Sequence, residues 1–430
     1  MKFKLKTLLL VLAAAGLLLA GGFAFSTQEA AGTAEEFAAA VQAANNYGLV
    51  VRTGSSGAGN LPGAIQTLNP NGQVLGPWLF QGKLGHPGGG LFDVVISADG
   101  KRAAVSNFGD CRVTLINFAN PAAPYFQGIV MLPIFAEDLA FTPDGKYVLC
   151  SDGGFSARIS VIDWNSATVA TNKLTGARYI NGVEVGRFGK TVLGVDYFGA
   201  KLHVFILDPA TGALSFGKQF ELWGSKIPAG VIVPPNFWKG QYINRPVNVS
   251  ISPDGTTAVV GDAGSGSIAV FRMFAPTGVE WTQIAETYPL SPQYAPTSAY
   301  ASHIQSFAFT PDGKKVFAFV THTGPHWPGD FWTEITAFDV LGPGKLSPTP
   351  THILFTPMRG TSQLFGVDTL AVDPSGRFLY ATNPTLSGGV RVISIIDAVT
   401  NTFIRNLWLD HTDPVANTSM MPVGIAFRKQ

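Results

Sequence analysis

The chain has 430 residues, a formal net charge of +1, 46% hydrophobic residues and only 13% charged residues. This supplies apolar surface for a large core and leaves no basic stretch with which to capture nucleic acid through its phosphates. The 49 glycines and 29 prolines suit many turns between short strands rather than long helices.

At the N-terminus Lys2, Lys4 and Lys6 precede an apolar run from Leu8 to Ala20, and small residues follow at Ala20-Gly21-Gly22 and Ala24. This pattern predicts a secretory signal peptide over residues 1–24, cleaved near Gly22 or Ala24. An uncleaved anchor is the alternative, although the run is short for a bilayer span. Loss of the three lysines leaves 26 basic against 28 acidic residues. No cysteine lies near the cleavage region to be acylated, and no later segment is long and apolar enough to span a bilayer. The mature chain is therefore expected to be a soluble monomer, periplasmic or secreted. Residues 25–46 are rich in Ala and Glu and read as a spacer, with a short helix from Ala34 to Ala44.

From Tyr47 onward the chain alternates short apolar runs with tight turns. The turn signal is clearest at Thr310-Pro311-Asp312-Gly313, between Phe307-Ala308-Phe309 and Val316-Phe317-Ala318-Phe319-Val320. Two β-type runs joined in this way predict a hairpin, because glycine tolerates the positive φ that the turn demands. The signal recurs at Ser97-Ala98-Asp99-Gly100, Thr142-Pro143-Asp144-Gly145, Ser252-Pro253-Asp254-Gly255 and Asp373-Pro374-Ser375-Gly376, with a weaker copy at Arg187-Phe188-Gly189-Lys190. Four strands follow each other in every repeat. In the third repeat they start with Asp138-Leu139-Ala140-Phe141, Lys146-Tyr147-Val148-Leu149-Cys150 and Arg158-Ile159-Ser160-Val161-Ile162-Asp163, and the fourth begins at Thr168. The other repeats span roughly 92–134, 181–223, 246–290, 304–356 and 367–409. A seventh is assembled from the two ends: Pro422 to Phe427 has the form of a first strand, and Tyr47 to Arg52 that of a second. The sequence thus predicts an all-β, seven-bladed β-propeller over residues 47–430. It has four antiparallel strands per blade, and its C-terminal first strand joins the N-terminal strands to close the ring.

The Pro-Asp-Gly turns, the runs Tyr147-Val148-Leu149-Cys150-Ser151-Asp152 and Phe378-Leu379-Tyr380-Ala381-Thr382-Asn383, and third strands such as Val392-Ile393-Ser394-Ile395-Ile396-Asp397 resemble the YVTN-type propeller repeats of exported bacterial proteins. The resemblance covers most of residues 47–430, with the first and fourth repeats degenerate. It implies the propeller fold, and its relatives include lactonase-like enzymes, electron-transfer subunits and proteins without assigned chemistry.

One face of such a ring carries the long insertions: Gly224 to Arg245, Pro289 to Ser302 and Thr321 to Phe331. They are rich in aromatics, among them Phe237, Trp238, Tyr242, Tyr294, Tyr300, Trp327, Phe331 and Trp332. These either line a pocket or partner surface or pack the loops onto the ring. Histidines collect on the same face. His303, His322, His326 and His411 are the candidates for a divalent metal, with Asp330 and Asp413 as oxygen donors, but Gly and Pro between His322 and His326 exclude a helical pair. A polar residue ends each second strand: Thr53, Asn107, Asp152, Asp196, Asp262, His322 and Asn383. These groups either cap the loop that follows or hold a ligand near the central opening. Cys111 and Cys150 are the two cysteines, and in an oxidising compartment they form either one disulfide or two separate thiols. No Gly-x-Ser-x-Gly elbow, phosphate-binding loop or haem-attachment pair occurs.

The leading expectation is a binding protein. Its loops over blades 4 to 6 would hold a small molecule or an envelope protein through Trp238, His303, His322, His326 and Trp327, with Asp152, Asp262 and Asn383 nearer the opening. The alternative, from the family resemblance, is a lactonase-like hydrolase, for which His303, His322 and His411 with Asp152 or Asp262 are the visible suppliers of a base or a metal site.

Overall fold

The computed structural model describes residues 47–53, 64–69, 74–78, 90–154, 156–222, 227–232, 245–287, 301–323, 331–354, 370–384, 391–408 and 421–427. These belong to the unit Asn45–Gln430, one of the two into which the chain divides. Among the described residues no helix occurs, and every strand pairing is antiparallel. The leader and the spacer lie outside the described residues.

The strands form four-stranded sheets in chain order. One contains Leu91–Ile96, Arg102–Asn107, Arg112–Asn117 and Tyr125–Met131; the next contains Ala136–Phe141, Tyr147–Asp152, Arg158–Asp163 and Thr168–Leu174. Ile180–Val185, Thr191–Asp196, Lys201–Leu207 and Leu214–Glu221 follow, and later Leu370–Val372, Phe378–Pro384, Arg391–Asp397 and Thr402–Trp408. The C-terminal strand Met421–Phe427 pairs with Gly48–Thr53, which leads into Ala64–Leu68 and Val74–Trp78. The pairing of the two chain ends is therefore present in the structure. This all-β arrangement of four-stranded sheets is that of a β-propeller.

The fifth and sixth repeats depart from the sequence reading in one respect. Their sheets, starting at Pro246–Ile251 and Ala301–Phe309, are joined into one by the bridges Ala263↔His303 and Gly264↔Ser302. The second strand of the fifth repeat runs on to Gly264, far enough to meet its neighbour. In the sixth repeat the strands Lys315–Thr323 and Phe331–Gly342 stay paired to Thr323↔Phe331. Thr321 to Thr323, Phe331 and Trp332 thus belong to strands and not to the insertion.

Burial follows position in the sheet. The second strand Tyr147–Asp152 is buried along its whole length, as a strand covered on both faces must be, whereas the fourth strand Leu214–Glu221 is mostly exposed. The core is a series of seams between consecutive sheets. Val113 and Leu115 pack with Val148 and Cys150, Leu149 and Val161 with Val192 and Phe205, and Val260 and Phe271 with Leu193 and Val204. A further seam joins Val50 and Ile425 to Tyr380 and Ile393, so the sheet made from both termini packs against the last internal one.

Each turn signal closes in the same way. Gly145 adopts φ 67°, its N–H donates to the Thr142 carbonyl at 2.8 Å, and the Thr142 hydroxyl donates to Asp144 Oδ1 at 2.6 Å. Ser97, Ser252 and Thr310 repeat the hydroxyl-to-aspartate bond. The weak copy folds the same way, with Gly189 at φ 67° donating to the Gly186 carbonyl.

Buried polar staples cross the seams. Asp93 Oδ2 accepts the amide of Leu139 in the next sheet at 2.9 Å, and Asp138 Oδ2 accepts that of Val183 at 2.6 Å. Ser106 and Ser151 hydroxyls donate across the same seams to the carbonyls of Glu137 and Asn181. These bonds satisfy first-strand backbone groups that no sheet neighbour reaches on that side.

Candidate functional site

The polar residues that end the second strands are turned onto their own loops. Asp152 Oδ1 accepts the amides of Gly154 (2.9 Å) and Phe135 (3.3 Å), while Oδ2 accepts the Ser156 hydroxyl. Asp196 accepts the amides of Arg178, Tyr179 and Gly199, and Asp262 those of Arg245 and Ser265. Asn107 Oδ1 caps Asp110. Each of the three aspartates thus clips the loop after its second strand to the segment that enters the first strand of the same sheet. Burial works to raise the Asp196 carboxyl, but His203 and the three amides together hold it below the usual carboxylate range. His203 Nε2 stands 3.7 Å from Asp196 Oδ2, too far for a hydrogen bond but close enough for attraction once the imidazole is charged.

The other sequence candidates are only partly placed. His303 is half-buried and opposite Ala263 and Thr321; His322 is the register partner of Ser302 and Trp332. The two histidines therefore occupy adjacent rungs of one ladder. Asn383 lies opposite Val392. Trp238, His326, Trp327 and His411 fall outside the described residues. Among the described residues no group of three His, Cys, Asp or Glu side chains is placed to hold a metal.

In the structure Cys111 and Cys150 stand as separate free thiols. Cys150 is buried in the seam beside Val113 and Leu132, while Cys111 sits in a turn at φ 50°. Burial pushes both thiols up, and Asp110 and Asp152 add to this at Cys111. Two free thiols are expected by colorimetric titration of unfolded, unreduced protein. Alkylation of Cys150 in the folded protein should be slow.

The group that sequence reasoning missed is Glu137. It precedes Asp138 near the start of the first strand Ala136–Phe141, at the end where Asp152 leaves the second strand. Its side chain is 4% exposed. Tyr179 Oη donates to Oε2 at 3.1 Å and Asn181 Nδ2 donates to Oε1, both from the next sheet. Burial raises its pKa from 4.5 to about 8; the nearby Asp152 charge adds to the rise, and the Tyr179 and Asn181 bonds offset part of it. Tyr179 is itself held well above the ordinary phenol range by burial and by Glu137.

Two aromatic groups stand near this carboxyl, one reaching it through Tyr179 and the other lying across Gly153 from it. On one side Phe108 lies between Phe92 (5.7 Å between ring centroids) and Phe135 (5.1 Å, stacked). On the other, Tyr179, Tyr197 and Phe198 form a triad with centroids 4.9–5.9 Å apart. Phe135 and Phe198 remain 45% and 47% exposed, so both groups present rings to solvent. Gly153 fits between the Phe108 ring and the Glu137 carboxyl. A Cβ there would come within 2.3 Å of the Phe108 ring and 2.7 Å of Glu137 Oε2. The sequence does contain a trace of this site, since an aromatic follows the polar strand-end residue at Asn107-Phe108 and Asp196-Tyr197. Nothing in that spacing points to the acid beneath.

A buried carboxyl under an aromatic rim, its proton affinity raised in this way, can donate a proton, accept one after a small change in environment, or orient a carbonyl.

No family model matches the chain, and no curated protein matches its sequence. Solved structures do. The periplasmic gluconolactonase of Pseudomonas aeruginosa superposes with a TM-score of 0.58 at 17% identity, covering 88% of this chain and 96% of that one. A Bacteroides fragilis protein named only provisionally as a 6-phosphogluconolactonase gives 0.61 at 17% identity, with 89% and 97% covered. A protein of unknown function from Desulfotomaculum acetoxidans gives 0.60 at 15% identity, with 89% and 98% covered. At these identities the likeness is one of fold.

Proposed function

We propose that this chain is an exported, seven-bladed β-propeller, closed through the sheet that joins its two ends, and that it is a lactonase-like hydrolase acting at the mouth above Glu137. Closure is supported by the seam between the terminal sheet and the last internal one. Export is supported by the N-terminal signal pattern and by the likeness to a periplasmic protein. The observation that carries the chemistry is Glu137, a buried carboxyl whose pKa of about 8 leaves it able to exchange a proton near neutral pH.

In this reading a lactone lies against the exposed rings of Phe135 and Phe198, and the Phe108 ring turns aside to admit its ester to Glu137. The ionised fraction of Glu137 takes a proton from water as the water oxygen bonds to the acyl carbon. The ring C–O bond then breaks, and the proton passes to the departing alkoxide to give the open hydroxy acid. Tyr179 and Asn181 position the carboxyl. The histidines proposed from the sequence take no part.

The test is hydrolysis of a panel of five- and six-membered lactones by the mature protein, with and without chelator, followed by pH-stat. Turnover should survive chelator and fall at least 100-fold in Glu137→Gln, with the fold retained by circular dichroism. Turnover that is lost with chelator but kept in Glu137→Gln would return the reaction to a metal. The second reading is ligand binding without chemistry, favoured by the solvent-facing aromatics. Its signature is a lactone-induced rise in thermal midpoint with no turnover.

A further inference from the structure

The outermost rings of the two aromatic groups near Glu137 are Phe135 and Phe198, both about half exposed. Phe135 stacks on Phe108, whose ring lies across Gly153 from the Glu137 carboxyl. Phe198 stands edge to face with Tyr179, which donates to that carboxyl. Rings held in place by such neighbours offer apolar surface that an alkyl group can cover without first ordering the protein.

Anions are recognised on loops by backbone N–H groups open to them and by arginine or lysine. The N–H groups of these two loops are already taken. Those of Phe135 and Gly154 go to Asp152, and those of Arg178, Tyr179 and Gly199 go to Asp196. The segments that carry Phe135 and Phe198 are thus folded around carboxylates of the chain itself.

The side-chain charge has the same sign. Asp152 works to raise the pKa of Glu137, of Tyr179 and of Cys111 alike, and Asp110 adds to this at Cys111. Arg112 is bound to that Asp110 at 3.0 Å. Arg178 is exposed beside Tyr179, but its own amide is given to Asp196, so it offers a guanidinium without a cradle of N–H groups. A phosphate or carboxylate brought here would lose water next to like charges, whereas an alkyl group gains from the two rings.

We propose that the site selects lactones with an uncharged alkyl substituent, held against Phe135 and Phe198, over lactones that carry a phosphate or carboxylate, which the Asp152 charge turns away. This selectivity rests on the reading of the mouth at Glu137 as a lactone site.

The test is kcat/KM near neutral pH for γ-valerolactone, with a methyl substituent, for γ-heptalactone, with a propyl substituent, and for the analogue of γ-heptalactone in which a carboxylate replaces the terminal methyl. γ-Heptalactone should exceed γ-valerolactone about fivefold, because the rings cover part of its two further methylenes. It should exceed the carboxylate analogue roughly tenfold or more. Phe135→Ala combined with Phe198→Ala should bring γ-heptalactone to the level of γ-valerolactone through KM, with kcat unchanged. Asp152→Asn keeps an oxygen for the Phe135 and Gly154 amides and should narrow the gap to the carboxylate analogue about threefold. A carboxylate analogue that equals or exceeds γ-heptalactone overturns the proposal and leaves the hydrolase reading in place. So does a chain-length gain that survives the double alanine variant, or a gap left whole in Asp152→Asn. Turnover of none of the three removes the hydrolase reading, and isothermal titration then decides the selectivity. Tighter binding of γ-heptalactone than of its carboxylate analogue sustains it; equal, reversed or absent binding overturns it. If a variant fails to fold by circular dichroism, the comparison of the three lactones on the wild type still decides.

Discussion

Replacing Asp138 with Ala is expected to cost about 3 kcal/mol and to lower the thermal midpoint by roughly 4 °C. The reason is where its two oxygens go. Oδ2 accepts the Val183 amide across the seam at 2.6 Å, and Oδ1 accepts the Leu139 amide at 3.0 Å, in a residue only 3% exposed. Leu139 keeps a second acceptor in Asp93, but among the bonds described Val183 has no other side-chain acceptor. Removing the carboxylate therefore leaves a buried N–H without its charge-assisted partner, and the loss approaches the full desolvation cost of that amide. Asp138→Asn keeps one carbonyl oxygen and should recover about half of the loss. The check is thermal unfolding of both variants beside the wild type. A midpoint within about 1 °C of wild type in Asp138→Ala would mean that the seam is held by its apolar contacts alone.

The turns and the staples differ in how far they could be read from the sequence. A turn is local: Thr142, Asp144 and Gly145 supply every group that closes it, so a four-residue phrase suffices to predict the hairpin. Even Arg187-Phe188-Gly189-Lys190, which lacks both Pro and Asp, makes the turn because Gly189 alone permits the positive φ. The loop-capping role of Asp152, Asp196 and Asp262 was legible for the same reason, since much of what each binds lies within three residues. Their hold on the segment before the first strand, as in Asp196 to Arg178, spans 18 residues and was not. A repeated irregularity also escaped notice. The pairing of third and fourth strands shifts register at Leu115/Ile116, Val161/Ile162, Val204/Phe205, Val270/Phe271 and Ile395/Ile396. A bulge at that place adds twist to the outer strand and leaves no mark in the composition.

The site was the least legible part. Attention went to the long insertions because length and aromatic content are visible in one dimension. Glu137 sits in a short regular strand and has no motif around it. Its environment is made by Tyr179 and Asn181, 42 and 44 residues further on, and by the absence of a side chain at Gly153. Burial and partners of that kind arise only when neighbouring sheets are packed together.

Glu137 should also leave a signature in stability that does not depend on any substrate. Its carboxyl titrates near 4.5 when the chain is unfolded and at about 8 when folded. Between these values the folded state binds one more proton than the unfolded state, so stability decreases as pH rises. The contribution is fully present below pH 4.5, declines by about 1.4 kcal/mol per pH unit across the window, and is gone above pH 8. Glu137→Gln removes this titration. At pH 5 the wild-type carboxyl is neutral; Gln replaces its hydroxyl oxygen with an NH2 that cannot accept, so the bond from Tyr179 or Asn181 to that atom is lost and the variant should be less stable than wild type by about 1 kcal/mol. At pH 9 the order should reverse, since the wild type must then bury a carboxylate beside Asp152 and the variant need not. The measurement is the thermal midpoint of both proteins at half-unit intervals from pH 4.5 to 9. Curves that run parallel would mean that Glu137 is ionised throughout, and the proton exchange on which the proposed hydrolysis rests would be lost with it.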